Sequence, residues 1–205
     1  YRAYAKDQDD NIDYGNAIQF GRAYIDLGLP SGTKWANLNI GATRPEEDGG
    51  YYTWGETTTK SSYGYGNYKW WANAWLFPEY DLRNTQATRH DVASKNWKGN
   101  WMIPNKEEIQ ELLTYCSFTS TTLNGVKGYL VESNFNHHKI FMPFAGWRRD
   151  GNLNYYNEQS YIQSSEVRNS RNDYAWDALN GTRKVDWYHS DGIAARAVWK
   201  TNAIA

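Results

Sequence analysis

The chain has 205 residues, 40% of them hydrophobic and 17% aromatic, with 11 Trp and 17 Tyr; this is enough for one sizeable core and excludes a disordered chain. A net charge of −1, with Lys and Arg scattered, provides no basic field for phosphate backbones or anionic lipid and argues against nucleic acid as a partner. No apolar run approaches the ~20 residues of a membrane span, the N-terminal decapeptide lacks an apolar signal core, and Cys116 is alone, so no internal disulfide forms.

In YRAYAKDQDDNIDYGNAIQF, residues 1 to 20, Tyr1, Ala3 and Ala5 alternate with Arg2 and Tyr4, an Asp/Asn turn follows, and Tyr14, Ala17, Ile18 and Phe20 resume. That pattern predicts a β-hairpin. Asp7, Asp9, Asn11 and Asp13 are spaced like half a calcium loop, but Ile12 stands where the central glycine belongs and Ile18 where a bidentate glutamate would sit. A solvated turn is the better reading. From Tyr24 to Glu56, Gly, Pro and Asn punctuate short strands expected at Tyr24–Leu27, Lys34–Asn39 and Tyr51–Trp54. The next stretch, TTTKSSYGYGNYKWWANAW, reads as a long aromatic loop packed onto the core.

A short helix is expected around Thr88 to Ser94, with Asp91 and Lys95 outward. In PNKEEIQELLTYC, Asn105 can cap, Glu108 can answer it, and Ile109, Leu112, Leu113 and Cys116 recur at helical spacing, predicting an amphipathic helix. Strands are then expected at Gly128–Glu132, at Lys139–Pro143 and in GIAARAVW, where Ile193, Ala195, Ala197 and Trp199 alternate with Ala194, Arg196 and Val198. Strands, two helices and strands again predict an α+β fold with an antiparallel sheet.

One stretch differs from the rest. Between Arg148 and Tyr174, 19 of 27 positions are Asn, Tyr, Ser, Arg or Asp, and only Leu153, Ile162 and Val167 are aliphatic, so little of it is expected in a core. Tyr supplies rigid contact area, Arg a planar fork of donors, and Asn and Ser adaptable hydrogen bonds, the mixture that paratopes use. The candidate ligand-binding residues are Arg148, Arg149, Asn152, Asn154, Tyr155, Tyr156, Asn157, Arg168, Asn169, Arg171, Asn172 and Tyr174. In VDWYHSD, alternation from a core-facing Val185 turns Trp187 inward and Tyr188 outward, which adds Tyr188 and His189 to the candidates.

Catalysis finds little support. Cys116 falls on the apolar helix face and reads as an inert thiol, while Asp173 with Asp177, or Glu107 with Glu108, has nothing nearby to raise a pKa. Of the four histidines, His90, His137, His138 and His189, the adjacent pair belongs to the turn NFNHHK. No catalytic residue, metal or cofactor is assigned.

The segments YIDLGLPSGTKWANLNIGATRPEEDGGYYTWGETTTK, NWKGNWMIPNKEEIQELLTYC, FMPFAGWRRDGNLNY and GIAARAVW, in that order, resemble the C-type-lectin-fold domains of Bacteroidetes surface proteins, the Fibrobacter succinogenes major paralogous type, over about Tyr24 to Trp199. Two departures are visible: Met102 stands where members commonly carry Arg, and Tyr161, Ile162, Gln163 and Ser164 where they often read YWSS. The resemblance implies a C-type lectin fold, α+β, with two helices and long irregular loops on an antiparallel sheet. Residues 1–20 resemble the last hairpin of a fibronectin type III or immunoglobulin-like module, so the expected division is that hairpin followed by a ligand-binding domain at 21–205.

It also implies an extracellular place, on a cell surface or a phage particle, and a protein or glycan ligand on another cell. Some members are variable proteins of diversity-generating retroelements, in which adenine-directed mutagenesis rewrites Asn-type codons near the C-terminus. Arg148, Arg149, Asn152, Asn154, Tyr156, Asn157, Arg168, Asn169, Ser170, Arg171 and Asn172 fit that output, whereas Glu158, Gln159, Gln163 and Glu166 do not and would be constant. Related sulfatase-activating enzymes use paired cysteines, which Cys116 lacks. Calcium-dependent sugar-binding lectins carry Glu-Pro-Asn or Gln-Pro-Asp, and none of Pro30, Pro45, Pro78, Pro104 or Pro143 has those neighbours. The expected function is a non-enzymatic binding protein diversified by a retroelement; the alternative is a carbohydrate-binding accessory module or a glycan-processing enzyme.

Overall fold

Turn chemistry sets the strand lengths. Asn124 and Gly125 (φ 47° and 84°) join β7 (Cys116–Leu123) to β8 (Val126–Ser133), and Asp150 and Gly151 (φ 49° and 80°) join β10 (Trp147–Arg149) to β11 (Asn152–Asn154). Two successive positive φ angles make the tight turn whose twist matches that of paired strands. The computed structural model describes residues 4–6, 12–14, 22–69, 84–167, 172–177 and 183–201.

Strands in these residues form five antiparallel sheets. Of the predicted N-terminal hairpin the described residues show β1 (Tyr4–Lys6) against β2 (Ile12–Tyr14), with Tyr4 opposite Tyr14; Tyr1, Ala3, Ala17, Ile18 and Phe20 lie outside them. One four-stranded sheet has the order β3 (Tyr24–Ile25), β4 (Lys34–Asn39), β16 (Arg196–Trp199), β6 (Trp101–Met102). A second runs β11, β10, β15 (Gly192–Ala194), β5 (Tyr51–Tyr52). The three-stranded sheets are β7, β8, β9 (Lys139–Pro143) and β12 (Tyr161–Val167), β13 (Asn172–Asp177), β14 (Arg183–Tyr188).

This architecture corrects the expected fold class. Sixteen strands in five small sheets, with α-helices of six and ten residues among the described residues, are a mostly antiparallel β arrangement and not the α+β layout of a C-type lectin fold. The two α-helices described each start at a side-chain cap. α1 (Val92–Trp97) begins at Asp91, whose side chain accepts from Ala93 N and Ser94 N, and α2 (Lys106–Tyr115) begins at the predicted capping box of Asn105 and Glu108. Asp91 does not face outward: it is fully buried, and it also accepts from Ala87 N and Ile103 N.

Two further expectations change. GIAARAVW is not one alternating strand; it breaks at Ala195 into β15 and β16, which belong to different sheets, and Ile193 through Val198 are buried on both faces. β12 is core despite its composition. Tyr161 through Ser165 are all buried, because Ile162 enters the cluster of Trp35, Leu112 and Val198, Tyr161 packs with Ile193, and the small Ser165 lets Pro104 O and Thr85 N bond its backbone from outside. In its described part the aromatic loop packs down at Tyr63, which donates to Tyr51 O, and at Tyr68, which donates to Trp54 O, but not at the exposed Tyr65; its residues 70–75 lie outside the described ones. Among the described residues no helix is long and apolar enough to cross a membrane.

Candidate recognition face

The β10–β11 hairpin carries the first candidates. Its register pairs Trp147 with Asn154, Arg148 with Leu153 and Arg149 with Asn152. Residues directly opposite share a face and neighbours along a strand do not, so Trp147, Arg149, Asn152 and Asn154 stand on one side, Arg148 and Leu153 on the other.

On the first side, Arg149 grips Asp191 through Nε–Oδ1 and Nη2–Oδ2, both 2.6 Å. Its guanidinium lies 4.7 Å from the Tyr188 ring centre and 5.0 Å from that of Trp147. Burial pushes the Asp191 carboxyl above the usual carboxylate range, and the bonds from Arg149 pull it back. The Arg149 pKa is raised chiefly by the hydrogen bonds to Asp191, so the guanidinium stays charged. Tyr65 meets Tyr188 edge-on at 5.9 Å, and both rings are exposed. Beneath them Trp187 packs against Trp147 at 5.1 Å and Tyr161 at 5.0 Å.

On the second side, the Arg148 guanidinium sits 4.6 Å from the Tyr51 ring centre, and Tyr51 Oη donates to Ala145 O at 2.6 Å. Burial raises the pKa of both Tyr51 and Asp48. Asp48 and Tyr156 line a cleft of about 370 Å³ with Arg44, Glu46, Glu47 and Asn124. Glu47 accepts from Thr43 N, Thr43 Oγ1 and Arg44 Nε, and these bonds, the backbone one first, lower its pKa to about 2.

After β11 the chain turns through Tyr155 (φ 52°) and Asn157 (φ 59°), and Asn157 N bonds Phe144 O. Gly146 makes this possible: a Cβ there would lie 2.2 Å from Asn154 O and 2.8 Å from Tyr156 N. The turn therefore seats on bare backbone, which leaves Tyr155, Tyr156 and Asn157 exposed.

The predicted residues thus divide. Arg148, Arg149, Asn152, Asn154, Tyr155, Tyr156, Asn157 and Tyr188 gather on or beside one hairpin. His189 does not join them: it is 5% exposed, stacked on Trp54 at 4.8 Å and edge-on to Tyr68, because the chain turns inward there toward β15. Asn172 lies opposite Tyr188 and Tyr174 opposite Asp186 in the β13–β14 ladder. Arg168, Asn169 and Arg171 lie outside the described residues. Tyr65 was missed because its loop was read wholly as packing; the alternation Tyr63 in, Tyr65 out was the available signal.

Catalytic and metal chemistry gain nothing from the geometry. Cys116 is buried, which pushes its thiol up to about 12. Glu108 is bound by Thr33, Gln86, Asn105 N and Lys200, and with Glu111 lines a cleft of about 610 Å³ at the start of α2 that shares no residue with the face. Asp173 and Asp177 sit four residues apart on β13, about 13 Å along a strand. His137 bonds Glu132 and His138 bonds Asp26 O in their turn, and no group of three or more His, Cys, Asp or Glu among the described residues could hold a metal ion. The chain matches no protein-family model, no curated protein and no solved structure.

Proposed function

We propose that the chain is a non-enzymatic recognition protein whose ligand lies against the β10–β11 hairpin, the turn at 155–157 and the Tyr65–Tyr188 pair. One observation carries this reading: of seven exposed large hydrophobic side chains among the described residues, Tyr65, Tyr155, Tyr156 and Tyr188 stand on or beside this one hairpin. Exposed aromatics flanking one hairpin, Tyr65 and Tyr188 on its first side and Tyr155 and Tyr156 in the turn that follows it, beside adaptable Asn side chains, are the composition of a binding surface with little ordering cost.

Retroelement diversification is part of the proposal. Among the residues that adenine-directed mutagenesis cannot produce, Gln163 is buried, Glu166 accepts from Lys106 N at 3.1 Å, and Gln159 accepts from the Tyr161 hydroxyl. These three serve the scaffold, whereas the fourth, Glu158, is exposed, as are Asn152, Tyr156 and Asn157. From the motif resemblance alone, we place the protein on a cell surface or a phage particle, facing a protein or glycan of another cell.

The test is binding to protein and glycan arrays by the wild type and by Tyr155→Ala, Tyr156→Ala and Tyr188→Ala, with Phe135→Ala as an exposed control. Loss of about tenfold or more for a face variant, with the control unchanged, is expected; binding indifferent to all three tyrosines would move the site elsewhere. Diversification predicts a near-copy of the coding segment for 148–172 beside a reverse transcriptase gene.

A further inference from the structure

Among the described residues β7 forms an open edge. It runs eight residues without a bulge, paired to β8 from Cys116↔Ser133 to Leu123↔Val126, and no described strand lies on its other side. Thr119, Ser120, Thr121 and Thr122 are exposed in succession, so both faces of the strand are open as well as its edge. Proteins ordinarily protect such an edge with Lys, Pro, a bulge or a covering segment. In CSFTSTTL no residue is charged and none is proline.

The phase of the ladder says which backbone groups point out. Asn134 N donates to Tyr115 O at 2.9 Å, the bond that flanks a non-hydrogen-bonded pair at Cys116↔Ser133. Alternation makes Phe118↔Val131, Ser120↔Tyr129 and Thr122↔Lys127 non-hydrogen-bonded as well. In such pairs the N–H and C=O of β7 turn away from β8. The hydrogen-bonded pair this leaves at Leu123↔Val126 is the one that a two-residue Asn-Gly turn requires. Phe118, Ser120 and Thr122 therefore offer their donors and acceptors at the free edge.

We propose that this edge is a self-association surface, on which two copies pair β7 to β7 about a two-fold axis at Ser120 and merge their sheets into a continuous six-stranded sheet. A two-fold interface needs an edge that complements itself, and this one does. With the axis at Ser120, Phe118 pairs with the partner's Thr122 and Ser120 with the partner's Ser120, giving about six intermolecular backbone hydrogen bonds. Between them Thr119 meets the partner's Thr121, a favourable cross-strand pair, and no charge faces a like charge. The chain's net charge of −1 adds little long-range repulsion between copies. A dimer would carry two recognition faces and so bind arrayed ligands with avidity.

Sedimentation equilibrium under reducing conditions tests this, over about 1 to 500 µM, the range for a small strand-edge interface. A reversible monomer–dimer equilibrium is expected. Ser120→Pro deletes an outward N–H that the β7–β8 ladder does not use, so the fold persists and dimerisation weakens at least tenfold. Thr119→Lys combined with Thr121→Lys alters only exposed side chains, sets like charges across the axis and weakens it similarly. A chain that stays monomeric throughout, or a folded Thr119→Lys/Thr121→Lys variant that dimerises like the wild type, overturns the proposal.

Discussion

Arg149 gives two of its N–H groups to Asp191, whose side chain is wholly buried, while its own side chain is 31% exposed. It is a foundation of the face before it is a contact. Arg149→Ala would leave a buried carboxylate without its partner and is expected to cost about 3 kcal/mol in urea denaturation, whereas Tyr156→Ala, on an exposed ring, stays within about 0.5 kcal/mol. Loss of binding in an Arg149 variant would therefore mix folding with recognition, and the tyrosines are the cleaner probes. Glu47 shows hydrogen bonding acting on a carboxylate alone. Its side chain is 33% exposed, and three hydrogen bonds hold its pKa near 2, below the ordinary 4.5. A depressed carboxylate pKa stabilises above the unfolded value and is lost as pH falls through the folded one, so the Thr43–Arg44 contacts should be intact above pH 4.5 and released toward pH 2. A carbon-detected NMR titration should place the Glu47 midpoint near 2, and Thr43→Ala should raise it.

At the scale of elements, α1 depends on one carboxylate. Asp91 caps Ala93 and Ser94 and also ties Ala87 N and Ile103 N, all from a fully buried position. Asp91→Ala removes a cap, worth about 1 kcal/mol, and leaves further buried N–H groups unpaired at about 1–3 kcal/mol each. A total loss of about 3–4 kcal/mol is expected by chemical denaturation, with Asp91→Asn recovering part of it. Elements of this kind were legible where the signal is local. Asn105 and Glu108 announced α2, and β4 fell at Lys34–Asn39 as read. The Asn-Gly and Asp-Gly pairs equally encoded two hairpins, so β7 could have been found from its turn. Asp91 carried a readable cap signal too, since it directly precedes the apolar Val92. What could not be read is burial imposed from the far side. Tyr161 to Ser165 look like surface, and GIAARAVW looks like one half-buried strand, until other sheets and loops close over them. His189 hides for the same reason: nothing beside it in the sequence discloses the stacked Trp54 ring.

At the scale of the molecule, small sheets must be held to one another, and Arg196 does this at a junction. It is 2% exposed, and it donates from Nε to Asn39 Oδ1 (2.8 Å), from Nη1 to Ala36 O (2.8 Å) and from Nη2 to Phe141 O (2.9 Å). Asn39 and Ala36 belong to β4 and Phe141 to β9, so one planar fork joins two sheets. Burial alone lowers its pKa to about 9, and three carbonyl oxygens solvate the charge that it keeps. Arg196→Leu would leave those three acceptors buried and unbonded, at about 1–3 kcal/mol each, against the modest gain from burying apolar carbon. The expected net loss is about 3–5 kcal/mol, read as a lower urea midpoint at an unchanged slope, because the surface exposed on unfolding stays the same. Val198→Ala on the same strand trims only packing at a fully buried position and should cost about 1–3 kcal/mol. If Arg196→Leu proved as stable as the wild type, apolar packing alone would be enough to hold β4 against β9, and the polar junction would have to be kept for some reason other than stability.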